Sequence, residues 1–436
     1  MRDRNWQIAL FGTFDVENYG DLLFPIIAEA ELTKRLGPVT LRRFSYNART
    51  QPDWPYTVTS VIELPETACS LDGVLIGGGS IIRFDKVIEI EYAPPTPTIH
   101  HPTGYWLTPA LIALQHGIPL IWNAPGMHGD NIPLWAAPLM EQALQNSRYI
   151  AVRDESSQAV LARFVDKSRI AVLPDTAFGI SRLIDERRPS DEFSRLRAAS
   201  DLTDPYIIVQ AIGGLDSFLR LVRDHSRLFR GCRILVLPIG PVLGDHESVI
   251  GDDLPGLVRL PVWPHPLLLA ELISQAAAVV GHSYHLAVTA LAFGVPVFCS
   301  ADLSFWKYTA LSGFETIYPL PKEAEIDPHW FTTRLGKTRP SQAAFAALDQ
   351  LEHHWDHIAA ILCEGATATQ PALNRFWQSL PNMLEAADEV NKLLVQARAE
   401  IEARDDRIAT LYKSPSMRVT APLRFLMRNL KHLMGK

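Results

Sequence analysis

Short apolar runs alternate with stretches of helical period along most of the chain. In the first half the runs 6–11, 39–44, 73–76, 119–123, 149–152 and 170–173 predict strands. Patterns of period near 3.6 at 22–36, 109–116, 135–144 and 156–164 predict the helices between them. The strand runs are apolar almost throughout, as parallel strands covered on both faces require. Asp21 is placed to cap the first helix, and Gly37-Pro38 to stop it. A polar stretch, 185–191, separates this set from a second one at 206–209, 233–237, 257–260, 278–280 and 295–299. Beyond about residue 322 the strand signal fades, and 342–362 and 372–411 read as helices. The expected fold is therefore α/β, with two Rossmann-like halves at 1–185 and 200–340. A helical segment at 341–412 and a basic amphipathic tail at 413–436 follow.

Composition supports a multidomain globular chain. At 436 residues it exceeds one ordinary core, and 47% apolar with 20% charged residues excludes wholesale disorder. A net charge of -7 argues against nucleic-acid partners, whose phosphates demand a basic surface. Cys69, Cys232, Cys299 and Cys363 are scattered and fit a reducing compartment, with Cys232 and Cys299 expected to be buried. The N-terminus lacks the apolar core of a signal peptide, and no run is apolar enough to span a bilayer. The expected location is cytoplasmic. Between Lys413 and Lys436 every charge is basic, interleaved with Leu423, Phe425, Leu426 and Leu430. Such a segment suits either the inner face of a membrane or the protein's own surface.

Candidate chemistry gathers where strands run into helices, because free N–H groups and the helix dipole favour anions there. The first junction offers Gly12, Asp15, Asn18, Gly20 and Asp21, with the two glycines free to take positive φ. It lacks the GxGxxG of a dinucleotide site. Gly77-Gly78-Gly79-Ser80, after a strand, reads as a backbone nest. Arg153 and Asp175 stand at the carboxyl ends of strands, the ligand edge of an open α/β sheet. The insertion 92–106, with His100, His101, Tyr105 and Trp106, reads as a lid with a sugar-binding surface. The last junction is Gly281-His282-Ser283-Tyr284-His285, where His285 can donate to an anion or move a proton near neutral pH.

These junctions, in this order, resemble the polysaccharide pyruvyl transferase family over roughly the first three hundred residues. The matching stretches are Phe11-Gly12 through Asn18-Tyr19-Gly20-Asp21, Gly77 to Ser80, Val152-Arg153-Asp154-Glu155-Ser156, Pro174-Asp175, and Ser283-Tyr284-His285 with the helix ending at Gly294-Val295-Pro296. The resemblance implies two Rossmann-like domains in a glycosyltransferase-B-like arrangement, with the acceptor on the first and the donor on the second. It implies transfer of a pyruvyl group from phosphoenolpyruvate, the donor substrate, to a sugar of a bacterial cell-surface polysaccharide or its lipid-linked precursor. A ketal forms and phosphate leaves; no cofactor and no metal are demanded. His285 holds the place of the donor-site histidine and is the expected general acid, with Asp21 or Asp15 as base. Ser283 stands where many members carry arginine, and Arg153 is the candidate to supply that charge. The closing segment 413–424 resembles tails of bacterial glycan-assembly enzymes. The rival readings are a nucleotide-sugar glycosyltransferase, for which Glu271 is the acidic candidate at a ribose, and a non-catalytic scaffold of the same fold.

Overall fold

A computed structural model describes residues 4–85, 101–202, 205–321, 324–365 and 370–420. The first sheet contains β1 (Trp6–Phe11), β2 (Val39–Ser45), β3 (Thr59–Ser60), β4 (Gly73–Ile76), β5 (Leu120–Trp122), β6 (Tyr149–Val152) and β7 (Ile170–Val172), in the order β3-β2-β1-β4-β5-β6-β7. The second contains β8 (Tyr206–Gln210), β9 (Arg233–Leu237), β10 (Leu257–Arg259), β11 (Ala278–Gly281), β12 (Val297–Cys299) and β13 (Ile317–Pro319), in the order β10-β9-β8-β11-β12-β13. Every neighbouring pair is parallel. Both sheets thus reverse direction of winding once, between β1 and β4 and between β8 and β11. At such switch points crevices open beyond the strands' carboxyl ends. β3, of two residues, and β13 lie at sheet edges, and neither is among the strands that the sequence pattern predicts.

The two sheets are joined through α1 (Tyr19–Leu36), α2 (Pro266–Ser274) and α3 (Tyr284–Ala292). Leu23 and Ile27 of α1, Leu269 and Leu272 of α2, and Leu291 of α3 belong to one continuous buried core. Polar contacts fix the junction. The Tyr19 N–H donates to the Ile239 carbonyl at 2.9 Å, and its hydroxyl meets Thr289 Oγ1 at 2.9 Å, fully buried. α1 begins three residues earlier than its apolar pattern suggests, so Asn18 takes the N-cap position and Asp21 stands in the first turn. Asp21 is therefore not a cap.

α4 (Gln342–Glu364) leaves the second half and docks on the first. Leu351, Trp355 and Leu362 enter the shared core, and a Cβ on Gly73 of β4 would fall 2.1 Å from Leu362. Arg35 of α1 holds Glu31, Glu352 and Asp356 together, and Arg182 joins Glu31 and Glu352. Buried between them, His354 meets Asn123 Oδ1 at 2.8 Å and the Tyr149 hydroxyl at 3.1 Å.

Both sheets and α4 lie in a compact unit of residues 1–132 and 139–375; a second unit comprises 133–138 and 376–436. The second is dominated by one long helix, α5 (Gln370–Lys413). Residues 421–436, most of the expected basic tail, lie outside the described residues, as do residues 92–100 of the expected lid. Among the described residues no helix is long and apolar enough to cross a membrane.

Candidate active site

The carboxyl ends of the two sheets face a cleft of about 240 Å³ lined from both halves. The first half supplies Thr13, Asn18, Asp21, Gly79, Ser80, Arg83, His128 and Arg153; the second supplies Gln210, Gly240, Asp245, His282, Ser283, Tyr284, His285, Lys307 and Tyr308. Every cluster follows a strand's end, so topology alone brings residues some 290 positions apart into one site.

Arg153 leaves β6 and is only 4% exposed. It donates through Nη2 to Ser80 Oγ and through Nη1 to Asp175 Oδ2 at 3.3 Å. Its guanidinium lies 5.3 Å from the centre of the Tyr284 ring. Nε is buried without a partner, 3.7 Å from Asp154 Oδ2 and against Gly126, where a Cβ would fall 2.4 Å from it. The guanidinium thus places a buried cation in the site. Asp175 caps the turn Thr176–Arg182, accepting from the Ala177 N–H at 3.0 Å, which aims its second oxygen at Arg153 and His285.

His285 Nε2 lies 3.7 Å from that oxygen. Burial pushes the imidazole below its usual pKa; Asp175 opposes this, while Arg153 and Lys307 add to it. Burial also works to raise Asp175, but His285, Arg153 and the Ala177 N–H outweigh it and keep the carboxyl below the ordinary range. Asp21, bonded to Asn18 Nδ2 at 2.9 Å, goes the other way: burial raises it to about 7 against the pull of Arg153 and Lys307. Lys307 is drawn down to about 8 by burial and by Arg153. The cleft thus holds an imidazole and an amine lowered by burial beside a carboxyl raised to about 7, and an entering anion would favour the protonated forms of His285 and Lys307.

The other expected residues divide. Gly20 touches His285 closely: a Cβ there would lie 1.9 Å from Nδ1. Its role is to admit the ring, because it sits in α1 and neither it nor Gly12 takes positive φ. Gly12 instead accommodates the Phe14 ring. Gly78 and Gly79 do take positive φ, at 90° and 73°. Only Gly79 and Ser80 line the cleft, however; Gly77 abuts the Asn123 carbonyl and Gly78 the Phe24 ring. Asp15 is withdrawn, held by Ser45 Oγ at 2.5 Å and by the Asn47 main-chain N–H and side chain at 2.9 and 2.6 Å. Ser283 lines the cleft and caps α3. Glu271 is buried away from it, accepting two 2.6 Å hydrogen bonds from Ser190. Tyr105 and Trp106 are core residues and no sugar surface, and His101 is bonded to Thr103 and the Phe84 carbonyl; His100 lies outside the described residues. Cys299 is buried as expected, whereas Cys232 is only half-buried.

Sequence reasoning missed Lys307, Gln210 and Asp245. Gln210 closes β8; its Oε1 accepts from the His282 and Ser283 N–H groups at 2.9 and 2.8 Å, and its Nε2 donates to Asp245 at 3.0 Å. Asp245 in turn accepts from the Ile239 and Gly240 N–H groups. This chain sets the loop before His285. For Gln210 the signal available was position, since it ends a strand.

The fold and cleft define a two-Rossmann α/β protein of glycosyltransferase-B-like architecture. The UDP-GlcNAc 2-epimerase of Methanocaldococcus jannaschii superposes with a TM-score of 0.54 at 11% identity, over 82% of this chain and 100% of that one. The epimerase of Neisseria meningitidis, solved with UDP-GlcNAc bound, gives 0.49 at 12% identity, over 80% and 99%. At such identities the likeness concerns the fold alone. The family model for polysaccharide pyruvyl transferases matches residues 18–302, and the chain belongs to that family of transferases. No curated protein matches it in sequence.

Proposed function

We propose that the chain transfers a pyruvyl group from phosphoenolpyruvate to a sugar diol, forming a pyruvate ketal and releasing phosphate. The observation that carries this is the grouping of buried Arg153 with half-buried Lys307 and His285 around one cleft, a set suited to a small substrate bearing both carboxylate and phosphate. Arg153 and Lys307 hold the donor, Lys307 supplying charge on the side where Ser283 replaces the family's arginine. The donor's negative charge raises His285, which then gives its proton to the vinyl carbon. The resulting cation at C2 is attacked by one sugar hydroxyl, whose proton passes to Asp21. Loss of phosphate and attack by the second hydroxyl complete the ketal. Of the two hydroxyl protons, one replaces that given to the methyl group and the other leaves with phosphate.

The acceptor is a saccharide or lipid-linked oligosaccharide of a bacterial surface polysaccharide. The enzyme works in the cytoplasm, with the basic tail 413–436 on the inner membrane face. Spent on Ser190, Glu271 gives no support to a nucleotide-sugar donor. The test is the thermal midpoint of the protein and of His285→Ala, titrated with phosphoenolpyruvate and with nucleotide sugars. Stabilisation by phosphoenolpyruvate that weakens in His285→Ala is expected. A response to nucleotide sugars alone would move the protein to the glycosyltransferases.

A further inference from the structure

α5 carries a seven-residue repeat along most of its length. Position a is Leu373, Leu380, Ala387, Leu394, Ile401 and Ile408. Position d is Phe376, Met383, Val390, Ala397 and Leu411, broken only by Arg404. An apolar seam of period seven drifts around a straight helix and stays on one side only if the helix supercoils about a partner. In the structure α5 is one helix, and Leu394, Ile401, Ile408 and Leu411 are 48%, 58%, 50% and 60% exposed. We propose that this stretch pairs with the same stretch of a second copy as an antiparallel two-stranded coiled coil.

Charge selects the arrangement. In an antiparallel pair, a faces d of the partner, g faces g and e faces e. Setting Leu394 against the second copy's Leu411 places Ile408 against Ala397 and Ile401 against Arg404. The same register sets Glu400 against Arg407 and Arg398 against Asp405, each twice by symmetry. Moving one heptad one way puts Glu400 on Glu400 and Arg398 on Arg398. Moving the other way puts Arg407 on Arg407 and Asp405 on Asp405. A parallel pair stacks Arg404 on Arg404 and faces Glu400 with Asp405. Of these four arrangements one matches opposite charges throughout. In it the Arg404 stem covers Ile401 of the second copy while its head reaches water. The overlap, residues 392–413, runs about 33 Å.

Sedimentation equilibrium of the full-length protein tests the pairing. A dimer is expected for wild type and a monomer for Ile401→Asp, whose folding is checked by the thermal midpoint. Glu400→Arg should weaken association about tenfold, since two attractive pairs become repulsive, and Glu400→Arg with Arg407→Glu should restore it. Orientation is read by oxidation in a Cys69→Ser, Cys363→Ser background. Leu394→Cys mixed with Leu411→Cys should cross-link between chains, and Leu394→Cys alone should not. A monomeric wild type, or a dimer that survives Ile401→Asp, overturns the proposal. Self-cross-linking of Leu394→Cys overturns the orientation. A monomer whose binding to anionic vesicles is lost in Ile401→Asp would assign this face to a membrane instead.

Discussion

Asp175 Oδ2 lies 3.7 Å from His285 Nε2, although one residue caps the turn after the last strand of the first sheet and the other opens a helix behind the second. The same oxygen takes the Arg153 Nη1 hydrogen bond at 3.3 Å. A single carboxylate thus ties the fixed cation of one half to the titrating group of the other. Asp175 is the main influence raising a histidine that burial depresses. In Asp175→Asn the imidazole should titrate lower still, because its protonated form loses its counter-charge. NMR titration of His285 reads this directly. Turnover should fall by about 10²–10⁴, the usual contribution of positioned proton transfer. An unmoved titration would remove Asp175 from this role.

Asp21 gives a pH dependence of opposite sense to that of a paired carboxylate. Its folded pKa, about 7, lies above the ordinary 3.8. Between those values the folded state holds a proton that the unfolded state releases, so stability is full at low pH and falls as pH rises. The loss ends near pH 7, with an upper limit of ~4 kcal/mol. Asp21→Asn removes the titration. Its thermal midpoint should exceed wild type at pH 8 and approach it near pH 4, while transfer activity falls. A constant gap between the two proteins across that range would refute the assignment.

How much of this was legible in the sequence follows the physics of each signal. Buried parallel strands are apolar runs, and 73–76, 149–152 and 233–237 stand where the structure has them. The two-residue β3 and the edge strand β13 make too few contacts to impose a pattern. Arg153, Asp175 and His285 were legible because each follows a strong strand, which places it at a ligand edge. Asp15 and Asp21 lie in the same junction, yet one is captured by Ser45 and Asn47 while the other faces the cleft. Only tertiary packing separates them. Lys307 follows a three-residue strand through a turn with no periodicity, so nothing local marked it.

Lys307 separates binding from stability. Burial and Arg153 make its charge costly, holding its pKa at about 8. Lys307→Met should therefore leave the midpoint of the free protein unchanged or higher, as with other active-site charges. It should weaken phosphoenolpyruvate binding about 10–100-fold, the worth of one charge-assisted hydrogen bond. Lys307→Arg should keep part of that affinity. Calorimetric titration checks both, and a Lys307→Met protein binding as tightly as wild type would exclude the lysine from the donor site.

Gly20 has no conformational need to be glycine, since its φ is ordinary and it lies within α1. Space requires it: a Cβ would stand 1.9 Å from His285 Nδ1 and 2.1 Å from the ring's Cγ. Within a helix alanine is favoured over glycine by about 1 kcal/mol, so local propensity alone predicts that Gly20→Ala stabilises. Overpacking costs about 1–3 kcal/mol, and the obstacle is a stiff ring held between Phe24 and Asp175. Packing should win. Gly20→Ala is expected to lower the midpoint, turn His285 away from Asp175 and abolish most activity. Gly37→Ala, beyond the end of α1 with open space around it but a φ of 84°, should lose stability through backbone strain while keeping full activity. A Gly20→Ala enzyme that turns over normally would show that His285 does not act from the position it occupies here.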